Sequence, residues 1–210
     1  ETAILQAHYL STRFPKEYKN SLYINTVESD LNAAMVAEKM GLKPQLTAVG
    51  DKWILLKILL KQLEIKSKEL ELSEKKRLLF KSEMKRLEKT GARSISSLQK
   101  LENILANKKG ARKKDKKPIL AVGSEETGHN ITESKLTLLD GEVVSIYSGN
   151  GIKSALNTLV ATQHMVGSPK KYYAKVSRPF NHSFKDTLYV YYIHQNLFFK
   201  GSIVWKKSEN

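Results

Sequence analysis

The spacing of apolar residues along the chain changes from a helical to a strand period near Pro118. The most regular helical segment is residues 51–90, which contain no Gly or Pro and are dense in Leu, Lys, Glu and Ile. This composition predicts a single long helix of about 39 residues. Its apolar positions recur at heptad-like intervals, at Leu56, Leu63, Leu70, Phe80, Met84 and Leu87.

A second helix is predicted to fold back on the first. Gly91 is expected to end the long helix and Ser94 to begin the next one. The second helix carries an apolar stripe at Ile95, Leu98, Leu101 and Leu105. We therefore expect a long basic helical hairpin or coiled coil over residues 51–108, and self-association into a homo-oligomer through this helical segment.

The first 50 residues contain shorter helical signals and predict a helical subdomain. Asp30 is placed to cap a helix that Gly41 ends. Ala37 and Gly41 also faintly resemble the turn of a helix-turn-helix. However, Thr47 stands where that motif packs a branched apolar residue, and Gly50 interrupts its second helix. An ordinary helical subdomain is therefore favoured over a DNA-reading one.

The pattern beyond Pro118 predicts strands around one helix. Residues 136–139 and 142–147 flank Asp140-Gly141, a pair typical of tight hairpin turns. A helix with apolar positions at Ile152, Ala155, Leu156, Leu159 and Val160 is expected to cover one face of the sheet. Further strands are predicted at residues 119–122, 171–177, 187–194 and 197–205. The predicted fold class is α+β, with a helical N-terminal half followed by a small antiparallel α+β domain at residues 118–210.

Positive charge is concentrated in the middle of the chain. Of the net charge of +15, residues 51–117 hold +12, with 21 Lys and Arg against 9 Asp and Glu, whereas residues 1–50 are neutral, with 5 against 5. In the predicted linker at residues 109–117, six of the nine residues are Lys or Arg. Such a segment attracts polyanions by releasing their counterions, so phosphate backbones of nucleic acids are the expected partner. A solubilising, disordered linker is the alternative interpretation.

Two sets of residues are expected to contact nucleic acid. The helical and linker set is Lys75, Lys76, Arg77, Lys81, Lys85, Arg86, Lys89, Lys108, Lys109, Arg112, Lys113, Lys114, Lys116 and Lys117. The second set, Lys171, Tyr172, Tyr173 and Lys175, combines aromatic faces with cations as single-strand binders do. Packing of the two tyrosines in a core or at a sheet edge is the alternative.

Sites for chemistry are sparse. The chain has no Cys, and its histidines are too dispersed to indicate metal ligands by spacing, so we expect no cofactor and no metal site. Only His182, with Arg178 and Lys185 nearby, has a neighbourhood that a metal-independent ribonuclease would use, and a turn explains it equally well. Residues 148–151 would suit a phosphate at a helix N-terminus, with a plain turn as the favoured alternative.

These patterns leave three functions open. The first is a non-catalytic nucleic-acid-binding protein that uses the basic helical segment and linker. The second is an assembly or scaffold protein of a secretion, pilus or virion apparatus, and the third and weakest is a ribonuclease or toxin domain. The longest apolar run, residues 53–60, is interrupted by Lys57 and is far shorter than the roughly 20 residues of a membrane span, so no span is expected. The compartment stays open, with an intracellular location favoured.

Overall fold

The computed structural model describes residues 2–30, 32–70, 72–90, 95–106, 117–126, 128–165, 171, 196–197 and 199–208. Within these residues the chain forms eight helices and five strands. In chain order they are α1 Thr2–Arg13, α2 Pro15–Tyr18, β1 Leu22–Thr26, α3 Asn32–Lys39, β2 Lys43–Thr47, α4 Asp51–Glu69, α5 Glu74–Thr90, α6 Ile95–Ala106, β3 Leu120–Ser124, β4 Asn130–Thr137, β5 Val143–Gly149, α7 Gly151–Met165 and α8 Ile203–Ser208. None of these helices is long and apolar enough to cross a membrane.

The five strands form one mixed sheet in the order β2-β1-β3-β4-β5. Strand β1 is parallel to both β2 and β3, while β3, β4 and β5 are antiparallel neighbours. The coarse prediction of an α+β fold is confirmed. The predicted layout is wrong, because the sheet is not purely antiparallel and its first two strands come from the predicted helical half.

Strand β1 is central because both of its faces are covered. All five of its residues are buried. Tyr23 packs in a cluster with residues of α1 and α3, whereas Leu22 and Ile24 pack against Ile54 and Ile58 of α4 on the opposite face. The prediction of a helical subdomain over residues 1–50 missed this strand, since its three apolar residues are consecutive and two buried polar residues, Asn25 and Thr26, follow them, so the segment has no alternation of its own.

Helix α3 follows the sequence prediction closely. The backbone N–H of Asn32 donates to Asp30 Oδ1 at 2.9 Å, which satisfies a donor at the start of the helix. Gly41 follows the helix with a φ of +80°, a conformation that favours glycine. The chain then enters β2 rather than a second helix, so the faint helix-turn-helix resemblance is wrong.

The predicted helix over residues 51–90 is two helices, α4 and α5, with a break after Leu70. On one continuous helix Leu70 and Leu72 would point about 200° apart. The break allows both side chains to be buried in the same hydrophobic cluster. Packing therefore overrides the helix propensity of this segment, and Ser73, a residue type favoured at N-caps, directly precedes α5.

Helices α4, α5 and α6 share one hydrophobic cluster, so α5 and α6 pack on α4 instead of forming a hairpin with one long helix. Its buried members are Leu56, Leu63, Leu70, Leu72, Phe80, Leu87, Leu101, Ile104 and Leu105. These include most of the heptad-like positions that predicted self-association. Because they are buried within one chain, these positions are not available to a second copy, and homo-oligomerisation through this segment remains a prediction without their support.

The C-terminal predictions are confirmed in part. Strands β4 and β5 form the predicted hairpin. Its turn is longer than the predicted two residues, because the N–H of Leu138 donates to the carbonyl of Glu142 at 2.8 Å around Gly141, whose φ is +80°. A strand was predicted at residues 197–205, but α8 begins at Ile203, so that prediction is wrong for the end of the segment. Most of the strands predicted at residues 171–177 and 187–194 lie outside the described residues.

Helix α7 turns a polar face inward, contrary to prediction. Gln6 of α1 donates through Nε2 to the Ser154 carbonyl at 3.1 Å and to Thr158 Oγ1 at 2.9 Å. Asn130 of β4 donates to Ser154 Oγ at 2.8 Å. This network fixes α7 against α1 and β4, so the predicted apolar stripe faces outward, and Ile152 is 78% exposed.

Candidate nucleic-acid interface

The outer surface of α5 carries seven of the predicted phosphate-binding residues. They are Lys75, Lys76, Arg77, Lys81, Lys85, Arg86 and Lys89. All seven are exposed, and within the described part of the chain no carboxylate lies within ion-pair distance of any of them. Their charge is therefore available to a ligand rather than neutralised by the protein.

The carboxylates of α5 are largely directed away from this surface. Glu83 is buried and its Oε1 lies 3.4 Å from Lys100 Nζ of α6. A hydrogen bond from Ser97 and the nearby Lys100 ammonium lower the pKa of Glu83, so it is a stable anion facing the hairpin interior. Glu88 pairs with Lys57 of α4. Two of the three acidic residues of α5 thus stabilise the helical unit while the basic ones point outward.

Four of the basic residues form a row along the helix axis. Arg77, Lys81, Lys85 and Lys89 are separated by four residues each, so they lie on neighbouring turns of one surface strip. At 1.5 Å per residue the row is about 18 Å long. Because one strand of duplex DNA carries a charge about every 3.4 Å, this length corresponds to about five phosphates.

Two exposed leucines interrupt the basic surface. Leu78 is 63% and Leu79 is 47% exposed, and both lie on α5 between the cations of its first and second turns. Apolar side chains beside cations can cover sugar or base surface while the cations bind phosphates. The same leucines would also suit a protein partner.

The remaining predicted contacts are mostly outside the described residues. Lys117, which precedes β3, and Lys171 are exposed. The structure does not describe the other linker and C-terminal members of the two sets, which are Lys108, Lys109, Arg112, Lys113, Lys114, Lys116, Tyr172, Tyr173 and Lys175, nor His182 and its neighbours. Those positions stay predictions.

The turn at residues 148–151 is capped by the chain itself. Asn150 Oδ1 accepts a hydrogen bond from the backbone N–H of Lys153 at 3.0 Å, and the Asn150 carbonyl accepts one from the N–H of Ser154 at 2.8 Å. The Asn150 side chain thus already accepts the hydrogen bond of a backbone N–H that an anion would need. This geometry favours the plain turn over the phosphate site.

A cavity of about 200 Å³ lies between α1, the sheet and α7. Its polar lining includes Glu133 and Lys153, and Lys153 Nζ donates to the Glu133 carbonyl and to Ser134 Oγ, both at 2.6 Å. Burial lowers the pKa of Lys153, and burial raises the pKa of Tyr18, which also lines the cavity. Because the lysine is already bonded to the protein, the cavity offers a ligand little unpaired charge.

One group of side chains escaped the sequence analysis altogether. Asp51, Glu125 and His129 each place a ligand-type atom within 4.8 Å of the other two. Asp51 is 74 residues from Glu125 in the sequence, and no spacing motif links them. The pairing of β1 with both β2 and β3, which the sequence did not predict, places them at one edge of the sheet.

Comparison with known proteins adds no relative to these geometric observations. No family model, no curated protein and no solved structure matches the chain.

Proposed function

We propose that this protein binds the phosphate backbone of nucleic acids without catalysis, through the outer surface of α5. The observation that carries the proposal is the separation of charge on that helix. Its seven basic side chains are exposed and unpaired among the described residues, while Glu83 and Glu88 are engaged by α6 and α4. The solvent-facing side of α5 therefore carries an excess of positive charge.

The proposed recognition is independent of sequence. Lysine ammonium groups on flexible stems bind phosphates as point charges, which positions a polyanion but does not identify its bases. If six of the seven side chains each contact a phosphate, the affinity should depend strongly on salt concentration. The predicted linker at residues 109–117 would add contacts to the same strand, and it begins three residues after α6 ends at Ala106.

A binding measurement with a matched control tests this proposal. The row variant replaces Arg77, Lys81, Lys85 and Lys89 by Gln, and the control variant replaces the exposed Lys16, Lys19, Lys39 and Lys43 by Gln. Both lose four positive charges. Fluorescence anisotropy with a labelled random-sequence oligonucleotide should show a clear loss of affinity in the row variant and a much smaller one in the control.

An equal loss of affinity in the two variants would mean that net charge alone drives binding, and the proposal would then be wrong for α5. Circular dichroism and thermal unfolding should give similar curves for both variants, since all eight side chains are exposed. Absence of binding in the unmodified protein would exclude the proposed function itself.

A role in protein assembly is the second candidate, and one observation favours it. Ile152, Leu156 and Leu159 on α7 are 78%, 57% and 62% exposed and lie on one side of the helix. Clustered exposed apolar side chains mark interaction surfaces more often than isolated ones do. If this surface joins copies of the chain, sedimentation should give a mass above 23.8 kDa that Leu156→Lys returns to the monomer value.

A further inference from the structure

A second group of polar side chains lies at the carboxyl edge of the parallel strands. Asp51 is the first residue of α4, which follows β2, while Glu125 directly follows β3 and His129 directly precedes β4. The two strands that pair with β1, β2 and β3, lie on opposite sides of it. In open sheets with parallel strands, ligands bind outside the carboxyl ends at such a reversal of strand order.

The donor atoms of this group are close and chemically suited to a metal ion. His129 Nδ1 lies 3.3 Å from Asp51 Oδ2, and a Glu125 oxygen lies within 4.8 Å of both side chains. In tetrahedral zinc sites, with metal–ligand distances near 2.0–2.1 Å, neighbouring donor atoms are about 3.3–3.4 Å apart. The imidazole and one carboxylate thus already have the separation that such an ion requires.

Two carboxylate oxygens at this place lack a partner. Asp51 Oδ1 and Glu125 Oε1 are shielded from solvent, and no described residue donates a hydrogen bond to either. Burying an anionic oxygen without a donor is costly, and two neighbouring carboxylates also repel each other. Within the described residues no Lys or Arg pairs with either group, so a bound cation would offset the negative charge of both carboxylates.

The backbone keeps space for an ion and holds the donors in place. A Cβ at Gly149 would lie 3.0 Å from Asp51 Oδ2 and 3.5 Å from His129 Nδ1, so a side chain there would crowd both donors. The N–H of Glu125 donates to the His129 carbonyl at 3.1 Å, and Gly128 closes the turn with a φ of +84°. This bonded turn fixes Glu125 and His129 relative to each other.

We propose that Asp51, Glu125 and His129 bind one divalent transition-metal ion of the zinc type. One imidazole and two carboxylates suit Zn²⁺ or Co²⁺ better than Mg²⁺ or Ca²⁺, which prefer oxygen ligands alone. Three protein ligands leave a fourth position for water or another ligand. The site lies at the sheet edge rather than on α5, and it does not depend on the proposed nucleic-acid binding.

The test uses the full chain and the metal alone. Zn²⁺ is titrated into chelator-treated protein by calorimetry, and Co²⁺ is followed by its visible absorption. We expect one site in the unmodified protein and at least tenfold weaker binding in Asp51→Asn, Glu125→Gln and His129→Gln, since loss of even an outer-shell partner costs about 10–100-fold. Zn²⁺ should also raise the melting temperature of the unmodified protein but not of the variants.

His164→Gln is the matched control, because it removes an exposed imidazole on α7 and should leave both the Zn²⁺ affinity and the Co²⁺ spectrum unchanged. Binding that survives in all three site variants, or that disappears in the control, would overturn the proposal. So would a lack of Zn²⁺ binding in the unmodified protein, which would leave the Asp51–His129 contact as an ion pair only. Three variants on two elements, α4 and the turn before β4, keep the test valid if one of them fails to fold.

Discussion

Glu88 of α5 accepts a hydrogen bond from Lys57 of α4, with 2.6 Å between Nζ and Oε1. The contact joins two helices that the sequence analysis treated as one. It also neutralises a carboxylate that stands one residue before Lys89, the last member of the basic row. The stability of the helical unit and the positive potential of its outer surface therefore depend on the same pair.

Glu88→Gln should consequently strengthen polyanion binding. The substitution removes a negative charge beside the row, while loss of a largely exposed ion pair costs at most about 1 kcal/mol of stability. Oligonucleotide affinity measured by anisotropy checks the effect. Glu38→Gln on α3, also exposed, makes the same change in net charge and should alter affinity less. Equal gains in the two variants would argue against a local role of α5.

Glu83 should make the stability of the hairpin sensitive to acid. Its pKa is lowered from an ordinary value of 4.5 by the hydrogen bond from Ser97, with Lys100 adding to the effect. A carboxylate with a depressed folded-state pKa stabilises the protein above the unfolded-state pKa, and this contribution is lost as the pH falls through the folded-state value. Glu83→Gln should therefore lower stability at neutral pH and flatten its decline below pH 4.5, as chemical denaturation at several pH values would show. An unchanged acid profile would contradict this role of Glu83.

Leu87 should be essential to the helical unit, whereas Leu78 should not. Leu87 is fully buried in the shared cluster of α4, α5 and α6, while Leu78 is 63% exposed on the same helix. We expect Leu87→Ala to reduce the free energy of unfolding by about 2–5 kcal/mol. Leu78→Ala should change it by less than about 0.5 kcal/mol. If urea denaturation shows a similar loss of stability for Leu87→Ala and Leu78→Ala, the cluster is not packed as described.

Gly123 of β3 marks the close approach of α4 to the sheet. A Cβ at this position would lie 2.5 Å from Ile54 Cγ2. Gly123→Ala should therefore destabilise the protein by about 1–3 kcal/mol through overpacking. At Gly151, the first residue of α7, no described atom lies within 4 Å of an added Cβ, so Gly151→Ala should be neutral or slightly stabilising. Thermal unfolding of the two variants separates these effects, and a neutral Gly123→Ala would mean that α4 packs less closely on β3.

Local signals account for the elements that the sequence predicted well. The Asp30 cap and Gly41 bound α3, and Asp140-Gly141 marks the β4–β5 hairpin, because each acts within a few residues. The basic surface of α5 was predictable for the same reason. A helix repeats its side chains every few residues, so exposed cations can be recognised from spacing alone.

Long-range packing explains what the sequence did not predict. Strand β1 pairs with β3 across nearly 100 residues, and its two covered faces remove the alternation that indicates a strand. The break after Leu70 and the outward apolar face of α7 also depend on tertiary contacts. The convergence of Asp51 and His129 follows from the pairing of β1 with β2 and β3, which no local pattern encodes.

The salt dependence of oligonucleotide affinity tests the central claim most directly. Each phosphate contact contributes about 0.7–0.9 to the slope of log affinity against log salt concentration. We expect a steep negative slope for the unmodified protein and a slope smaller by about 3 for the variant that replaces Arg77, Lys81, Lys85 and Lys89 by Gln. The control variant at Lys16, Lys19, Lys39 and Lys43 should keep the original slope. A slope that is the same in all three proteins would contradict phosphate binding by α5.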